Sequence, residues 1–468
     1  DALVGAAEHG HIEVLKYLYD TFDLRAEDAR ADDNAALVLA AYNGHVEVLK
    51  WLQETFGLTV DDARADNNDA LVGAAAHGQV EVLKYLHDTF DLRAEDARAV
   101  NNKALRCAAR KGQLEVLKWL HDTFDLRAED ARACNNEALR CAAENGHLEV
   151  LKWLKETFGL TDVDARAYDN YALRKAAENG HLKVLKWLKE TFGLTDVDAR
   201  ADDNYALRKA AENGHLEVLK WLKETFGLTA VDARADDNYA LRYAAEHGHL
   251  EVLKWLKETF GLTAVDARAD DNYALRYAAR YDYVEVLKWL HETFGLTAVD
   301  ARADDNYALR WAAANGQVEV LKWLKETFRL TAVDTRAYDN YSLRYAARSG
   351  HIEVLKWLHE TFGLTDVDAR ADDNEALRFA AENGQVEVLK CLHATFGLTD
   401  VDARADDNYA LRLAAREGHV EVLKWLHDTF GLTVDDARVR DNEALRWAAE
   451  NGHDDVVNWI RDTFGLTL

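Results

Sequence analysis

The sequence contains no proline and no methionine. Ordinary usage would give about 5% proline alone, so the absence excludes proline-kinked helices and suggests one element copied many times. Without an initiator methionine, and with Asp1 just ahead of the first pattern residue, upstream sequence is expected before residue 1. Four cysteines, Cys107, Cys134, Cys141 and Cys391, are too few for a disulfide framework. Cys107 and Cys141 are 34 residues apart at equivalent positions. Stacked helices lie about 8–10 Å apart, beyond the roughly 7 Å that a disulfide allows between Cα atoms. Reduced thiols fit a cytoplasmic or nuclear setting. No signal peptide is read, and no apolar run approaches the ~18 residues of a membrane span. Basic residues are outnumbered, 57 Lys and Arg against 84 Asp and Glu, for a net charge of −27. Such a surface first serves solubility; it also repels nucleic acid and anionic lipid and favours a basic protein partner. Screening beyond roughly 8 Å makes that preference local, patch by patch.

What the sequence does have is repetition. The leucine of an Ala-Leu-Arg or Ala-Leu-Val triplet recurs at Leu3, Leu37, Leu71, Leu105, Leu139, Leu173, Leu207, Leu241, Leu275, Leu309, Leu343, Leu377, Leu411 and Leu445. Every step is 34 residues, with no insertion and no linker. A fixed period of that size means a solenoid in which each repeat contacts its neighbours. The expected fold is therefore an all-α array of about fourteen stacked helix–turn–helix repeats over residues 1–468.

One repeat, residues 238–268, shows the logic. Asn238 is the expected N-cap of a first helix whose Leu241, Ala244 and Ala245 fall at i, i+3 and i+4. Gly248 ends that helix by taking a left-handed conformation, and His249 leads into a second helix. There Leu250, Val252, Leu253, Trp255, Leu256 and Phe260 span roughly 220°, against the ~100° a surface helix needs, so it is covered on more than one side. In the connection, Thr263 and Asp266 have capping-box spacing, which predicts an extra short helical turn. Three repeats read Asp-Leu-Arg instead (Asp23/Arg25, Asp91/Arg93, Asp125/Arg127), as though the aspartate takes over the cap.

The Ala-Ala pair, Gly248-His249, the run Leu250 to Leu256 and Gly261 resemble the ankyrin repeat, and the resemblance covers all fourteen copies. Tyr-Ala-Leu-Arg (Tyr239 to Arg242) stands where that family has Thr-Pro-Leu-His, and the repeat is one residue longer than usual. The tetratricopeptide repeat shares the period, but its Trp, Gly and Pro pattern is absent. The resemblance implies that the turn histidine bonds loop backbone and ties neighbouring repeats. It also implies that the start of the first helix and the preceding connection line a concave partner-binding surface.

Residues that break the pattern (Lys183, Asp282, Tyr283, Arg329, Thr335, Ser342, Ser349, Cys391, Val439, Arg440) are scattered and bring together no nucleophile, base and orienting group. No enzyme and no cofactor is expected. Gln79, Gln113, Gln317 and Gln385 replace the turn histidine without other change, which argues against metal.

The informative ladder is aromatic. Tyrosine stands two residues before the anchor at Tyr171, Tyr205, Tyr239, Tyr273, Tyr307, Tyr341 and Tyr409. Two residues after the anchor, the most variable position carries Tyr243, Tyr277, Trp311 and Tyr345. Tyr and Trp often carry interface energy, so these residues are candidates for protein binding. Rings that stack only on each other, or recent duplication, would leave the same trace. A second ladder of tryptophans, including Trp51, Trp119, Trp153 and Trp187, lies on the apolar arc of the second helix and reads as core.

Two local features remain. Asp454, Asp455 and Asn458 give the last repeat, about 436–468, the polar outer face of a C-terminal cap. In Arg280-Tyr281-Asp282-Tyr283, Asp282 is expected to keep the left-handed helix end. Tyr283 loses the histidine bond, which would loosen the joint between repeats nine and ten. Drift explains this, as does a local binding site or hinge built on Tyr277, Tyr281 and Tyr283. The function expected is a non-catalytic interaction scaffold or adaptor, monomeric. The rival is a structural spacer or a subunit that assembles end to end.

Overall fold

A computed structural model describes residues 2–467. Among them every element is helical and no strand occurs. Packing divides the repeats into two compact units, one ending at Ala235 and one beginning at Asp236.

In the unit beginning at Asp236, the repeat around Leu275 shows the plan. Its first helix is Ala269–Arg280, its second Val284–Phe294, and a four-residue helix, Ala298–Ala301, follows. Leu275, Ala278 and Ala279 are fully buried. Alanines at these places let successive first helices pack closely, as Ala303–Ala314 does on Ala337–Arg348. The second helix buries Val286, Leu287, Leu290 and Phe294 and keeps Glu285 outside, paired with Lys288 at 2.7 Å. Gly295 ends it at φ 60°, where a side chain would be strained.

The tryptophans lie at the rim of the core and not inside it. Trp289 is half-buried, edge-on to Phe294 with centroids 5.4 Å apart. Helix geometry explains the difference, because the wide apolar arc places this position at its margin.

The extra helical turn is present. Thr297 donates its N–H to Asp300 at 2.7 Å and its hydroxyl at 3.0 Å, closing the N-terminus of Ala298–Ala301. The Asp-Leu-Arg variants of the other unit correct the expectation made for them. Asp91 does not cap. Asp96 still accepts a backbone N–H at 2.7 Å, now from Arg93, while Asp91 ends the second helix at φ 50° and pairs with the Arg93 side chain at 3.0 Å.

The entry to the first helix also differs from expectation. Asn238 is not an extended N-cap but left-handed, at φ 60° and ψ 38°. Asp236, Asp237 and Asn238 form one complete left-handed turn, as do Asp270, Asp271 and Asn272. Asp and Asn are the residues besides Gly that enter this region most readily, yet three in succession need outside support. Arginine provides it. Arg310, itself buried, donates through Nε to the Asp305 carbonyl at 2.8 Å and through Nη2 to that of Asp304 at 2.9 Å. This gives the arginine of Tyr-Ala-Leu-Arg a structural role at this place: it staples the left-handed turn.

The unit ending at Ala235 repeats the plan with local variation. Val38 and Val72 stand where later repeats place the stapling arginine, which appears from Arg106 onward. Where tyrosine replaces the first aspartate of a turn, as at Tyr168, Arg140 sits over the ring at 4.9 Å.

Candidate protein-interaction surface

The stripe residues two before each anchor sit where the left-handed turn hands over to the first helix. In the unit beginning at Asp236 they join into one stack. Tyr239 lies on Tyr243 at 3.9 Å, and Tyr243 meets Tyr273 at 5.3 Å. Tyr273 stacks on Tyr277 at 4.0 Å, and Tyr277 meets Tyr307 at 5.4 Å. The column continues through Trp311, Tyr341 and Tyr345 to Phe379. The alternation follows from helix geometry. Positions four apart share one face of a helix, and the later of the two faces the next repeat.

Arginines line this column. Arg242 sits over Tyr273 at 5.1 Å, Arg276 over Tyr307 at 4.9 Å and Arg310 over Tyr341 at 5.1 Å. These are the turn-stapling arginines, and two also form ion pairs with the next repeat: Arg242 with Asp270 at 2.7 Å and Arg276 with Asp304 at 2.6 Å. The hydroxyls are engaged too. Tyr273 donates to Glu246; burial and that carboxylate both push its phenol well above the ordinary value. Burial and the hydrogen bond with Tyr277 push Tyr307 up to about 12, with Arg280 acting against them.

In the other unit, Tyr171 donates to Glu144 at 3.1 Å and Tyr205 to Glu178 at 2.8 Å. Lys175 bridges Glu178 and Tyr205 at 2.5 and 2.7 Å. Tyr409 lies under Arg412, 4.6 Å from the guanidinium carbon.

Not all the candidates come together. Tyr281 projects at the end of its helix, 44% exposed, 6.4 Å from Tyr277. Tyr283 lies elsewhere, with its ring over Gly248, where a Cβ would meet it at 2.5 Å. That contact corrects the joint: the side chain points back to repeat eight, so the affected interface is between repeats eight and nine. Asp282 does hold the left-handed helix end, at φ 67°. In intact turns the histidine does what the resemblance implied: His45 donates through Nε2 to the Glu8 carbonyl at 3.0 Å, and His419 to that of Glu382 at 2.9 Å. Gln79 makes the same reach to Tyr42 at 3.4 Å.

One ladder escaped the sequence reading. In repeat after repeat the arginine closing the short helix forms a two-point ion pair with the capping aspartate of the next repeat. Arg132 meets Asp164 at 2.8 and 3.1 Å, and Arg302 meets Asp334 at 2.5 and 3.0 Å. The recurring Asp-Ala-Arg triplet was the available signal. Burial alone would raise Asp164, but hydrogen bonds from Arg132 and Thr161 outweigh it and hold the carboxyl below its ordinary range.

Among the described residues no group of three or more metal-ligating side chains gathers, and no helix is long and apolar enough to cross a membrane. The cysteines are free.

Stacked helix pairs tied through a turn histidine are the geometry of one repeat family, and comparison with known proteins agrees. A family model described as ankyrin repeats (3 copies) matches residues 3–96, 37–130, 105–201, 173–266, 207–295 and 377–465. A second, described as ankyrin repeats (many copies), matches 275–324 and 343–393. The chain belongs to the ankyrin repeat family. Among solved structures it is similar to an ankyrin repeat family protein from Legionella pneumophila. That match is 23% identical, covers 70% of this chain and 82% of that one, and has a TM-score of 0.27. No curated protein matches.

Proposed function

We propose that this chain is a non-catalytic scaffold or adaptor that presents its first-helix face to a protein partner within the cell. The family supports the general statement, since ankyrin repeats are protein–protein interaction modules. The observation that carries the finer reading is the aromatic column from Tyr239 to Phe379, half-buried along most of its length. Rings held rigidly by stacking lose little entropy on binding, and each repeat sets exposed aspartates such as Asp271 and Asp305 beside them. That combination suits a partner that is basic over most of its surface.

The test compares affinity capture by the intact chain with capture by a variant carrying Y243S, Y277S and W311A, after circular dichroism shows equal helix content. A partner retained by the intact chain and lost by the variant supports the reading. Identical capture by both would assign the column to stability alone.

A second reading, end-to-end assembly, has one observation in its favour. An apolar cleft of about 420 Å³ is lined by Leu3, Val4, Leu18, Phe22 and Leu24. Concentration-dependent mass in light scattering would favour it, and a constant monomer mass would reject it.

A further inference from the structure

We propose that Arg280 and Tyr341 form a site for one carboxylate side chain, Glu or Asp, of a protein partner. The argument starts from a substitution series within the chain itself. Each stripe tyrosine lies 27 residues after the last residue of a first helix, and in three repeats that residue accepts its hydroxyl, whereas Glu382 before Tyr409 pairs with Arg416 instead. Glu144 accepts the Tyr171 hydroxyl at 3.1 Å, Glu178 that of Tyr205 at 2.8 Å, and Glu246 that of Tyr273. At the next equivalent position the residue is Arg280, which donates through Nη1 to the Tyr307 oxygen at 3.0 Å. One repeat further it is Ala314. A methyl group therefore stands where Glu144, Glu178 and Glu246 supply an acceptor, and among the described residues the Tyr341 hydroxyl has none.

A cation lies one aromatic ring away from Tyr341. Arg280 sits over Trp311 with its guanidinium carbon 4.0 Å from the ring centroid, and Trp311 packs on Tyr341 at 6.0 Å. Burial and Tyr345 push the Tyr341 hydroxyl up, while the charges of Arg310, Arg280 and Arg344 pull it down. Two of those three arginines are committed. Arg310 holds the Asp304 and Asp305 carbonyls, and Arg344 holds the Tyr338 and Asp339 carbonyls and the Asp372 carboxylate. Among the described residues, Arg280 pairs with no carboxylate, and Asp282 two residues on is no exception.

A guanidinium stacked on an aromatic face keeps its in-plane N–H groups free for an anion. One oxygen of an incoming carboxylate can accept from Arg280 and the other from the Tyr341 hydroxyl, which restores in trans what Glu246 provides in cis to Tyr273. Ala314, in the register of those glutamates, is buried at 6% exposure and supplies no carboxylate of its own. The chain's net charge of −27 opposes an acidic ligand at long range, but screening beyond about 8 Å leaves the local cation in control. The inference rests on the scaffold reading for the occupant being a protein side chain, so a partner basic elsewhere would carry one acidic anchor at this point.

The experiment needs no cellular partner, so its outcome is independent of affinity capture. The Trp311 indole N–H resonance is assigned by its loss in W311F, and the full chain is titrated with the peptide Ac-Glu-Glu-Glu-Glu-NH2 at physiological salt. Its glutamine counterpart serves as control. The Trp311 resonance is expected to move with the glutamate peptide and to stay with the glutamine peptide. A314E, which places the carboxylate in cis as other repeats already do, is expected to abolish the movement while the remaining indole resonances keep their positions. R280Q is expected to weaken binding about tenfold or more, the scale of a lost charged hydrogen bond. No movement at tens of millimolar peptide, or movement that survives in both A314E and R280Q, would overturn the proposal.

Discussion

Arg268 donates to Asp300 across 32 residues of sequence, through Nε at 2.6 Å and Nη2 at 2.9 Å. Asp300 simultaneously accepts the N–H and hydroxyl of Thr297, so one buried carboxylate caps its own short helix and clamps the preceding repeat. Removing it leaves an arginine without a counter-charge and a helix without a cap. The Arg268 side chain stays 36% exposed, which moderates the cost below the 3–5 kcal/mol of a fully buried pair. D300A is expected to destabilise that joint by about 2–3 kcal/mol. Hydrogen exchange over residues 264–301 measures it locally, which matters because long arrays do not unfold as one cooperative step. Unchanged protection there would show that the clamp contributes nothing.

The same clamp predicts acid sensitivity. Asp62, Asp130, Asp198, Asp334 and Asp402 are all held below the ordinary carboxylate range. Burial pushes each up, but the hydrogen bond from the preceding repeat's arginine and the cap N–H prevail. A depressed folded pKa means that the folded state binds fewer protons, so the stabilisation is complete above the unfolded value of about 3.9 and is lost as pH falls below it. His181 and His351 are also depressed, by burial against their backbone bonds. Their contribution is present above about pH 6.5 and begins to fade below it. Circular dichroism against pH should show a shallow loss of thermal stability from about pH 6.5 and steep unfolding below about pH 4. Flat stability down to pH 3 would contradict the ladder.

How much of this was legible depended on whether the cause was local. The 34-residue period, both helices, the glycine ends and the Thr297–Asp300 turn all follow from residues within a few positions of each other. The left-handed turn does not. Asn272 is as good an N-cap as it is a left-handed residue, and the choice is made by Arg276, whose Nη2 holds the Asp270 carbonyl at 3.0 Å. Nothing in the Asp-Asp-Asn triplet announces that support. The clamp is hidden for a related reason: capping-box spacing accounts for Asp300 locally, and nothing within its own repeat points to Arg268, 32 residues away. Tyr283 was assigned to the wrong joint because spacing alone does not say whether a side chain points to the preceding or the following repeat.

Val100 offers a direct measure of what the left-handed turn costs. It stands at φ 49° and ψ 48°, a region that a β-branched residue enters only under strain, and its side chain is 46% exposed, so little packing compensates. The turn persists because Arg106 holds the Val100 and Asn101 carbonyls, each at 2.8 Å. V100N puts a residue that tolerates this conformation at the same place. It is expected to stabilise the repeat by about 1 kcal/mol, read as slower exchange of amides 99–124. A neutral or destabilising result would mean that the strain is fully relaxed by its surroundings.

Tyr283 can be returned to the common pattern by Y283H. In intact turns the imidazole Nε2 reaches a backbone carbonyl 37 residues earlier, at 3.0 Å for His147 and Arg110; for position 283 that carbonyl belongs to Glu246. The backbone is already set for it, since the Tyr283 N–H bonds the Ala278 carbonyl at 2.9 Å, matching His249 to Ala244 at 2.8 Å. One neutral inter-repeat hydrogen bond is worth about 1 kcal/mol, against which the loss of the tyrosine ring over Gly248 must be set. If the joint between repeats eight and nine is loosened in the native chain, Y283H slows exchange of amides 244–260 about fivefold and leaves those of 308–328 unchanged. If exchange is equal in both proteins, the tyrosine ring already closes the joint as well as the histidine does, and the substitution is drift without mechanical consequence.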